Sequence, residues 1–413
     1  MTDTPRNLSI NGPRLWQSLM DMAEIGATPK GGVCRLALTD LDRQGRDLFV
    51  EWCRGAGCSV RVDSIGNIFA RRPGTDPDAP PVATGSHLDT QPTGGKFDGI
   101  FGVLAGLEAI RTLNDLSIET RHPVEVCVWT NEEGARFPPA MMGSGVYAGV
   151  FDRDETCAIA DHDGVTVGDA LDAIGYRGDL PPGHQDFAAF FEAHIEQGPI
   201  LEDAKTEIGI VTGVQGIMWY DLTVTGAEAH AGPTPMPLRR DALAAVGGLL
   251  PKIYAIAHDN APHGRATIGE FRALPGSRNT IPGRVELTVD LRHPDADVLA
   301  AMDRALRQAV AGVALETGLD FDLSHVWTSD PIAFDVDCIQ AVREAAAERD
   351  CSAMEIVSGA GHDAVYISRL SPTAMIFIPC EDGISHNEAE NVAPADVERG
   401  ATVLLNAILK RAM

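Results

Sequence analysis

Hydrophobic and polar positions form two kinds of segment in the first third of the chain. Short apolar runs, "PVATGSH" and "PVEVCVWTN", flank the longer amphipathic run "GIFGVLAGLEAIRTL". The short runs are typical of buried strands, and the longer run has the spacing of a helix. A strand, a crossover helix and a strand in this order build a mainly parallel sheet, whose ligands bind beyond the carboxyl ends of the strands. The motifs "SHLDT" and "TNEEG" fall at two such ends.

The order of elements changes in the middle of the chain. There "GIMWYDLTVTG", a helix over 240–258, "ATIGEFRAL", "RVELTVDLR", a helix over 296–317 and "DFDLSHVW" follow one another. This βαββαβ order predicts a four-stranded antiparallel sheet with two helices on one face. We therefore expect residues 214–329 to form an inserted α+β domain.

The α/β rhythm resumes after the insertion. The pattern predicts a helix near 336–348, the strand "AMEIVSG", a helix near 362–369, the strand "TAMIFIPC" and a final helix from Pro394. Proline suits the first turn of a helix, and the apolar residues that follow it share one face. Residues 1–213 and 330–413 should thus make one domain, with a mixed, mainly parallel sheet flanked by helices.

Acidic residues outnumber basic ones in this chain of 413 residues, 59 against 33, so the formal net charge is −26. This charge repels phosphate backbones and anionic lipids, which argues against nucleic acid and membranes as partners. The opening residues lack a basic segment followed by an apolar one, and no run of about 18 apolar residues occurs. The eight cysteines include no CxxC pair, which is typical of reduced thiols. We expect a cytoplasmic protein.

Potential metal ligands are concentrated at the two predicted strand ends. The stretch "GSHLDTQPTGGKFDG" sets His87, Asp89 and Asp98 among glycines, and "TNEEG" supplies the adjacent carboxylates Glu132 and Glu133. An acid two residues after a histidine can orient its ring, and glycines allow close approach of the backbone. Adjacent residues leaving a strand point in opposite directions, so one acid can bind a metal while the other faces the substrate. Solvated polar turns are the alternative interpretation.

Two further histidines lie beside acidic residues near apolar runs, His194 in "FFEAHIEQGPILE" and His386 in "CEDGISHNEAEN". Taken alone, each is better explained as an ordinary buried or surface histidine. Together, three histidines, an aspartate and a glutamate at the edges of one domain supply the ligands that Zn²⁺, Mn²⁺ or Co²⁺ accept. A phosphate-binding loop is a poor alternative, since "GGKFDG" lacks both the GxxxxGK[ST] frame and the GxGxxG spacing.

Seven motifs resemble the hydantoinase/carbamoylase branch of the M20 family of dinuclear metallohydrolases. They are "GSHLDTQPTGGKFDG", "TNEEGARF", "HIEQGPILE", "GAEAHAGPTPM", "NTIPG", "GAGHDA" and "GISHNEAE", in this order along nearly the whole chain. The resemblance implies two divalent metal ions per subunit, with Zn²⁺ as the first expectation and Mn²⁺, Co²⁺ or Ni²⁺ as alternatives. It also implies a homodimer in which the inserted domain, 214–329, is a lid that mediates dimerisation.

The resemblance implies a set of metal ligands: Asp98 bridging both ions, His87 and His194 at one ion, and Glu133 and His386 at the other. It makes Glu132 the general acid and base, and it places Asp89 behind His87 to hold that ring. On the substrate side, it implies that His230 reaches the active site of the partner subunit and stabilises the oxyanion with the help of Asn279. Arg292 would capture a substrate carboxylate.

Further pocket residues follow from the same resemblance, namely Gln197, Ser358 and Gly359, whereas His362 receives no step. An acyl group at the metals and a carboxylate on arginine describe a small ureido acid, so the expected reaction is that of an N-carbamoyl-L-amino acid hydrolase or β-ureidopropionase. The products would be an amino acid, ammonia and carbon dioxide. Allantoate amidohydrolase is the alternative. An aminoacylase or dipeptidase is a weaker one, because those enzymes typically carry an acid where "HIEQGP" provides His194.

Overall fold

The computed structural model describes residues 7–413, and the chain divides into two compact units. The first unit ends at Thr212 and resumes over Phe334–Met413, and the second unit is Gly213–Ala333. The sequence predicted the divisions at 213/214 and 329/330.

Helices and strands are numbered here in chain order. As far as the second unit, they are α1 (Gly12–Ala23), α2 (Asp40–Gly55), β1 (Ser59–Val62), β2 (Ile68–Arg72), β3 (Val82–His87), α3 (Ile100–Asp115), β4 (Val124–Trp129), α4 (Met142–Tyr147), α5 (Arg153–Cys157), α6 (Val167–Ile174), β5 (Ala189–Ile195), α7 (Ile200–Ala204) and β6 (Ile208–Val214). The second unit holds β7 (Gly216–Thr225), β8 (Ala229–His230), α8 (Ala242–Asp259), β9 (Arg265–Thr267), β10 (Phe271–Leu274), β11 (Thr280–Ile281), β12 (Arg284–His293), α9 (Ala296–Thr317), β13 (Asp320–Ser329) and β14 (Ile332–Ala333). The chain then continues with α10 (Val336–Glu348), β15 (Ala353–Ser358), α11 (Ala364–Ile367), β16 (Thr373–Ile378) and α12 (Pro394–Ala412).

The first unit is built on a mixed, mainly parallel sheet, as predicted. Its strand order is β1-β2-β4-β3-β5-β16-β6, and β15 also pairs with β6. The four central strands, β4, β3, β5 and β16, run parallel, whereas β1, β2 and β6 are antiparallel to their neighbours. Every residue of these central strands is buried, which explains why their sequences are mostly apolar and do not alternate regularly with exposed polar residues. Helices α3 and α12 pack on each other and on this sheet.

The register of the central strands brings the predicted site residues to one edge. His87 is the last residue of β3 and pairs with Trp129, the last residue of β4. In the same way His194 on β5 pairs with Phe377 on β16. Because these strands are parallel, their carboxyl ends lie side by side, and the loops that leave them begin at the same edge.

The second unit is built on a five-stranded antiparallel sheet of order β10-β12-β7-β13, with β9 also on β12. Strands β7 and β12 alternate buried and more exposed residues. Their buried residues pack with those of α8 and α9 in one apolar core. This alternation is typical of a sheet covered by helices on one face only.

One strand of this unit differs from the prediction. The segment "ATIGEFRAL" is divided into β9 and β10, both paired with β12. Asp290 on β12 pairs with Thr267 on β9, and Leu287 on β12 pairs with Phe271 on β10. Two residues lie between these paired positions on β12, and three lie between them on the outer strand. The extra residue on the outer strand is a β-bulge, a feature that hydrophobic periodicity does not reveal.

Two helices are shorter than their predicted spans, since α8 begins at Ala242 and α11 covers only Ala364–Ile367. Asp241 caps α8 by accepting the N–H of Ala244, which is why this helix begins after it. Among residues 7–413, no helix has the length and apolar character needed to cross a membrane.

Candidate metal centre

The centre is assembled from the ends of three central strands and the loop before α12. His87 ends β3, Glu133 follows β4, and His194 lies one residue before the end of β5. Asp98 precedes α3, and His386 follows β16. All five are thus placed by the parallel register rather than by proximity in sequence.

Gly99 allows the first ligands to approach one another. Its backbone has φ 73°, and a Cβ atom built there would lie 2.4 Å from ring atoms of His87. Its N–H donates to Nε2 of His194 at 3.2 Å. Only glycine combines this backbone conformation with such close contact.

Asp98 is shared by two groups of potential ligands. Its Oδ1 lies 3.2 Å from Nε2 of His194 and 3.7 Å from Nε2 of His87. Its Oδ2 lies 3.5 Å from Nε2 of His386, which in turn is 3.3 Å from Oε2 of Glu133. One carboxylate therefore presents one oxygen to each group, which is the arrangement needed to bridge two cations.

The donor set fits divalent metal ions by spacing. Ligand atoms about 2.0–2.1 Å from a tetrahedral Zn²⁺ are separated from one another by roughly 3.3 Å. The nitrogen-to-oxygen distances within the two groups, 3.2–3.7 Å, bracket that value. Imidazole and carboxylate are also the ligand types that Zn²⁺, Mn²⁺ and Co²⁺ accept.

The imidazole rings are oriented for this use. Nδ1 of His87 lies 2.9 Å from the carbonyl oxygen of Asp89, and Nδ1 of His194 lies 2.9 Å from that of Ile195. A carbonyl oxygen can only accept, so each Nδ1 donates its proton, and Nε2 is the ring atom that faces Asp98 and could bind a metal ion.

Electrostatics favour a cation here as well. Burial lowers the pKa of His87 to about 4, so this ring is neutral at pH 7. Burial acts the same way on His194, but the hydrogen bond and charge of Asp98 outweigh it and raise that pKa to about 9. Burial, and then the charge of Asp98, raise the pKa of Glu133 well above its ordinary value. A bound cation would relieve the repulsion between these carboxylates.

Asp89 contacts His87 through its backbone carbonyl rather than through its carboxylate. Its carboxylate Oδ1 lies 4.0 Å from Nδ1 of His87, which is beyond hydrogen-bond range. The ring is held instead by the Asp89 carbonyl, while the carboxylate accepts the N–H groups of Glu132 and Glu133 at 3.3 Å each. Asp89 therefore orders the loop that carries the two glutamates, because the turn after β3 directs its side chain toward the end of β4.

Glu132 and Glu133 face different groups, although they are adjacent. Oε2 of Glu132 lies 3.6 Å from Nε2 of His87, whereas Oε2 of Glu133 accepts from Gln91 at 2.8 Å and faces His386. Burial, followed by the charge of Asp363, raises the pKa of Glu132 well above its ordinary value. Glu132 is therefore a carboxyl group suited to holding a proton.

Three of the ten non-glycine residues with positive φ in the described part of the chain lie at or beside the centre. Asn131, Gln197 and His386 have φ of 54°, 58° and 54°, in the left-handed region that costs a non-glycine residue roughly 1–2 kcal/mol. Each of them either faces Asp98 or precedes Glu132. Such strained residues are concentrated at functional sites because the surrounding structure holds them in place.

Of the pocket residues predicted in the first unit, Gln197 contacts Asp98 directly, whereas Ser358 contacts His362. Nε2 of Gln197 donates to Oδ2 of Asp98 at 2.8 Å, and its Oε1 is buried without a hydrogen-bond partner among the described residues. Ser358 is the last residue of β15, and Gly359 follows it. Oγ of Ser358 lies 2.9 Å from Nε2 of His362. His362, which the sequence left without a role, stacks edge-on against His194 with ring centroids 4.6 Å apart.

Three polar residues near the centre were missed by sequence reasoning: the half-buried Ser385 and the buried Glu390 and Asp363. Ser385 donates to Oδ2 of Asp98 at 2.7 Å, and Glu390 accepts the N–H of Asp98 at 3.1 Å. Asp363 accepts from Ser144. The first two lie inside the motif "GISHNEAE", which was the available signal, and Asp363 lies inside "GAGHDA".

The remaining predicted residues, His230, Asn279 and Arg292, lie in the second unit. His230 on β8 pairs with Thr280 on β11, and the carbonyl of Asn279 accepts the N–H of Ala231 at 2.9 Å. The structure thus brings His230 and Asn279 together. Arg292 on β12 donates to Asp290 through Nε and Nη2 at 2.9 and 2.8 Å.

The chain is similar to known proteins over most of its length. The sequence pattern of the peptidase family M20/M25/M40 matches residues 83–410. An N-carbamoyl-L-amino-acid amidohydrolase of Rhizobium meliloti is 48% identical over 98% of this chain and 98% of that protein. The allantoate amidohydrolase of Bacillus subtilis is 34% identical over 95% of each chain.

Solved structures agree with these relatives. The crystal structure of a hydantoinase/carbamoylase family amidase from Burkholderia multivorans is 58% identical, covers 98% of each chain and superposes with a TM-score of 0.96. The relatives are amidohydrolases, enzymes that act on carbon–nitrogen bonds other than peptide bonds. The chain therefore belongs to the peptidase family M20/M25/M40, and within it to the hydantoinase/carbamoylase amidases.

Proposed function

We propose that this protein hydrolyses the carbamoyl C–N bond of N-carbamoyl-L-amino acids, releasing the amino acid, ammonia and carbon dioxide. The observation that carries the proposal is the carboxylate of Asp98, which faces His87 and His194 with one oxygen and His386 with the other, beside Glu132. The names of the similar amidohydrolases support the choice of substrate.

Each subunit would hold two divalent ions, one on His87, Asp98 and His194 and one on Asp98, Glu133 and His386. Zn²⁺ is the proposed metal because imidazole and carboxylate together suit it, and Mn²⁺, Co²⁺ or Ni²⁺ could occupy the same ligands. When bound, such a pair of ions supplies Lewis-acid activation of a water molecule and of the carbonyl group.

Glu132 moves the protons in this proposal. Its carboxylate accepts a proton from the attacking water and later gives that proton to the leaving nitrogen. The raised pKa of Glu132 supports this assignment, because a carboxylate with a raised pKa is a stronger base toward water. Asp89 positions Glu132 through the hydrogen bond to its backbone N–H.

Residues of the second unit would bind the substrate. The guanidinium of Arg292 would take the substrate carboxylate by two parallel hydrogen bonds, and His230 with Asn279 would stabilise the oxyanion. In the homodimer that we propose, the second unit acts as the lid and supplies these groups to the partner subunit. Gln197, Ser358 and Gly359 would complete the pocket.

A substrate panel tests the proposal. N-carbamoyl-L-amino acids, N-carbamoyl-β-alanine, allantoate and simple dipeptides would be assayed with ammonia and amine measured separately, before and after chelation and metal replacement. We expect ammonia and free amino acid in equal amounts from N-carbamoyl-L-amino acids, loss of turnover on chelation and recovery with Zn²⁺, Mn²⁺ or Co²⁺. Turnover of allantoate alone would favour the alternative function, and turnover that is indifferent to chelation would refute the two-metal assignment.

A further inference from the structure

Glu390 is a buried carboxylate at the metal centre that belongs to neither group of ligands. It lies on the loop between β16 and α12 and is 4% exposed. A buried carboxylate is costly unless hydrogen bonds satisfy it. The partners of Glu390 therefore indicate what it does.

Those partners belong to two separate loops of the centre. Oε1 of Glu390 accepts the N–H groups of Phe97 and Asp98 at 2.9 and 3.1 Å. Its Oε2 lies 3.0 Å from Oγ of Ser385, the residue directly before His386. One side chain thus joins the loop that carries Asp98 to the loop that carries His386.

Ser385 also contacts Asp98, the ligand that both groups share. Its Oγ also lies 2.7 Å from Oδ2 of Asp98. The backbone of Asp98 is therefore held by Glu390, and its carboxylate is held by Ser385, which Glu390 itself contacts. Such outer contacts fix the orientation of a metal ligand and are worth about 10–100-fold in metal affinity.

Gly95 leaves space for the side chain of Glu390. A Cβ atom built on Gly95 would lie 2.0 Å from Oε1 of Glu390. Any side chain larger than that of glycine at position 95 would therefore occupy the space that Oε1 of Glu390 takes. The arrangement is therefore built into the loop and is not an incidental surface contact.

We propose that Glu390 is a positioning residue that orients the carboxylate of Asp98, directly through the backbone and indirectly through Ser385, so that both metal sites depend on it. The inference rests on the proposed function only in taking Asp98 as the shared ligand. A residue beside one site would affect one ion, whereas a residue that positions the shared ligand affects both.

The test measures bound metal rather than turnover. The full-length protein and its variants would be loaded with Zn²⁺, dialysed, and titrated with a chelator of known affinity while the metal content per chain is followed. We expect Glu390→Ala to lower the affinity for both ions in parallel, by about 10–100-fold. His386→Ala, which removes a ligand of one group, should lose one ion and keep the other.

Two further variants separate positioning from charge and from general damage. Glu390→Gln should stay within about threefold of the wild type, because the amide keeps an acceptor for both N–H groups and a donor for Ser385. Glu388→Ala is the matched control two residues away, since Glu388 pairs at 3.4 Å with a well exposed Lys30, and it should bind both ions normally.

The outcomes distinguish this inference from the proposed function. If wild type binds two ions and Glu390→Ala also binds two with unchanged affinity, or loses only one, the inference is overturned while the proposed function stands. If the wild type binds no metal, both fail. If Glu390→Ala does not fold, as judged by circular dichroism, Ser385→Ala decides: parallel weakening of both ions supports the inference, and unchanged binding of both overturns it.

Discussion

Gly99→Ala is predicted to disturb the metal centre more than it disturbs the fold. The added Cβ would lie 2.4 Å from Cε1 and Nε2 of His87, and carbon atoms in contact need about 3.5 Å. The ring of His87 must therefore move by roughly 1 Å, in an interior packed too densely to absorb the shift freely. The positive φ adds a backbone cost on the order of 1–3 kcal/mol.

The expected result has two parts that can be measured separately. A ligand displaced by this distance should bind Zn²⁺ about 10–100-fold more weakly, as judged by chelator competition. The backbone cost should lower the melting temperature of the metal-free protein by a few degrees, about 2–4 °C for each kcal/mol in a domain of ordinary size.

Gly175→Ala is the matched control for this substitution. Gly175 has the same φ of 73°, and a Cβ atom built there meets nothing within 4 Å. It should show the loss of melting temperature without the loss of metal. The reasoning is refuted if Gly99→Ala binds two Zn²⁺ ions as tightly as Gly175→Ala does.

Three further outcomes are expected. Glu132→Gln should keep its metal ions by elemental analysis but lose about 10²–10⁴-fold in turnover, and near-normal turnover would exclude Glu132 as the proton carrier. Mixed dimers of Arg292→Ala and Glu132→Gln subunits should recover part of the activity that each homodimer lacks, whereas no recovery would argue against sites shared between subunits. Burial, then the charges of Arg61 and Arg71, lower the pKa of His184 to about 4. The stability from this neutral ring is therefore complete above about pH 6.5 and lost as the pH falls toward 4. His184→Gln should consequently show a smaller drop in urea midpoint between pH 7 and pH 5 than the wild type, and an equal drop would contradict the assignment.

Much of the fold could be predicted from the local pattern of hydrophobic and polar residues. The fully buried strands β3 and β4 and the long helix α9 were recognisable because their spacing reflects burial on two faces or on one. The pattern placed polar residues after such strands, but the set of five expected ligands came from the resemblance of whole motifs to the family. The bulge between β9 and β10 was not predicted, because a single extra residue leaves the hydrophobic pattern on either side of it intact.

The hydrogen-bond partners at the centre could not be predicted in the same way. Asp89 was expected to hold His87, yet its carboxylate serves the loop of Glu132. Glu390 and Asp98 are separated by 292 residues along the chain and are hydrogen-bonded in the fold. Contacts of this kind depend on the path of each loop, which side-chain packing decides.

The amino-acid sequence by itself determined the class of fold, the acidic surface charge and the identity of the residues with metal-binding chemistry. These properties follow from periodicity, composition and side-chain type, which are local to each segment. Tertiary structure alone decided that Asp98 presents one oxygen to each group of ligands and that Ser385 and Glu390 stand behind it. The physical reason is that parallel strands bring distant loops to one edge of the sheet. There, a difference of a few tenths of an ångström in the distance between two atoms decides whether a side chain is a ligand or only a neighbour of one.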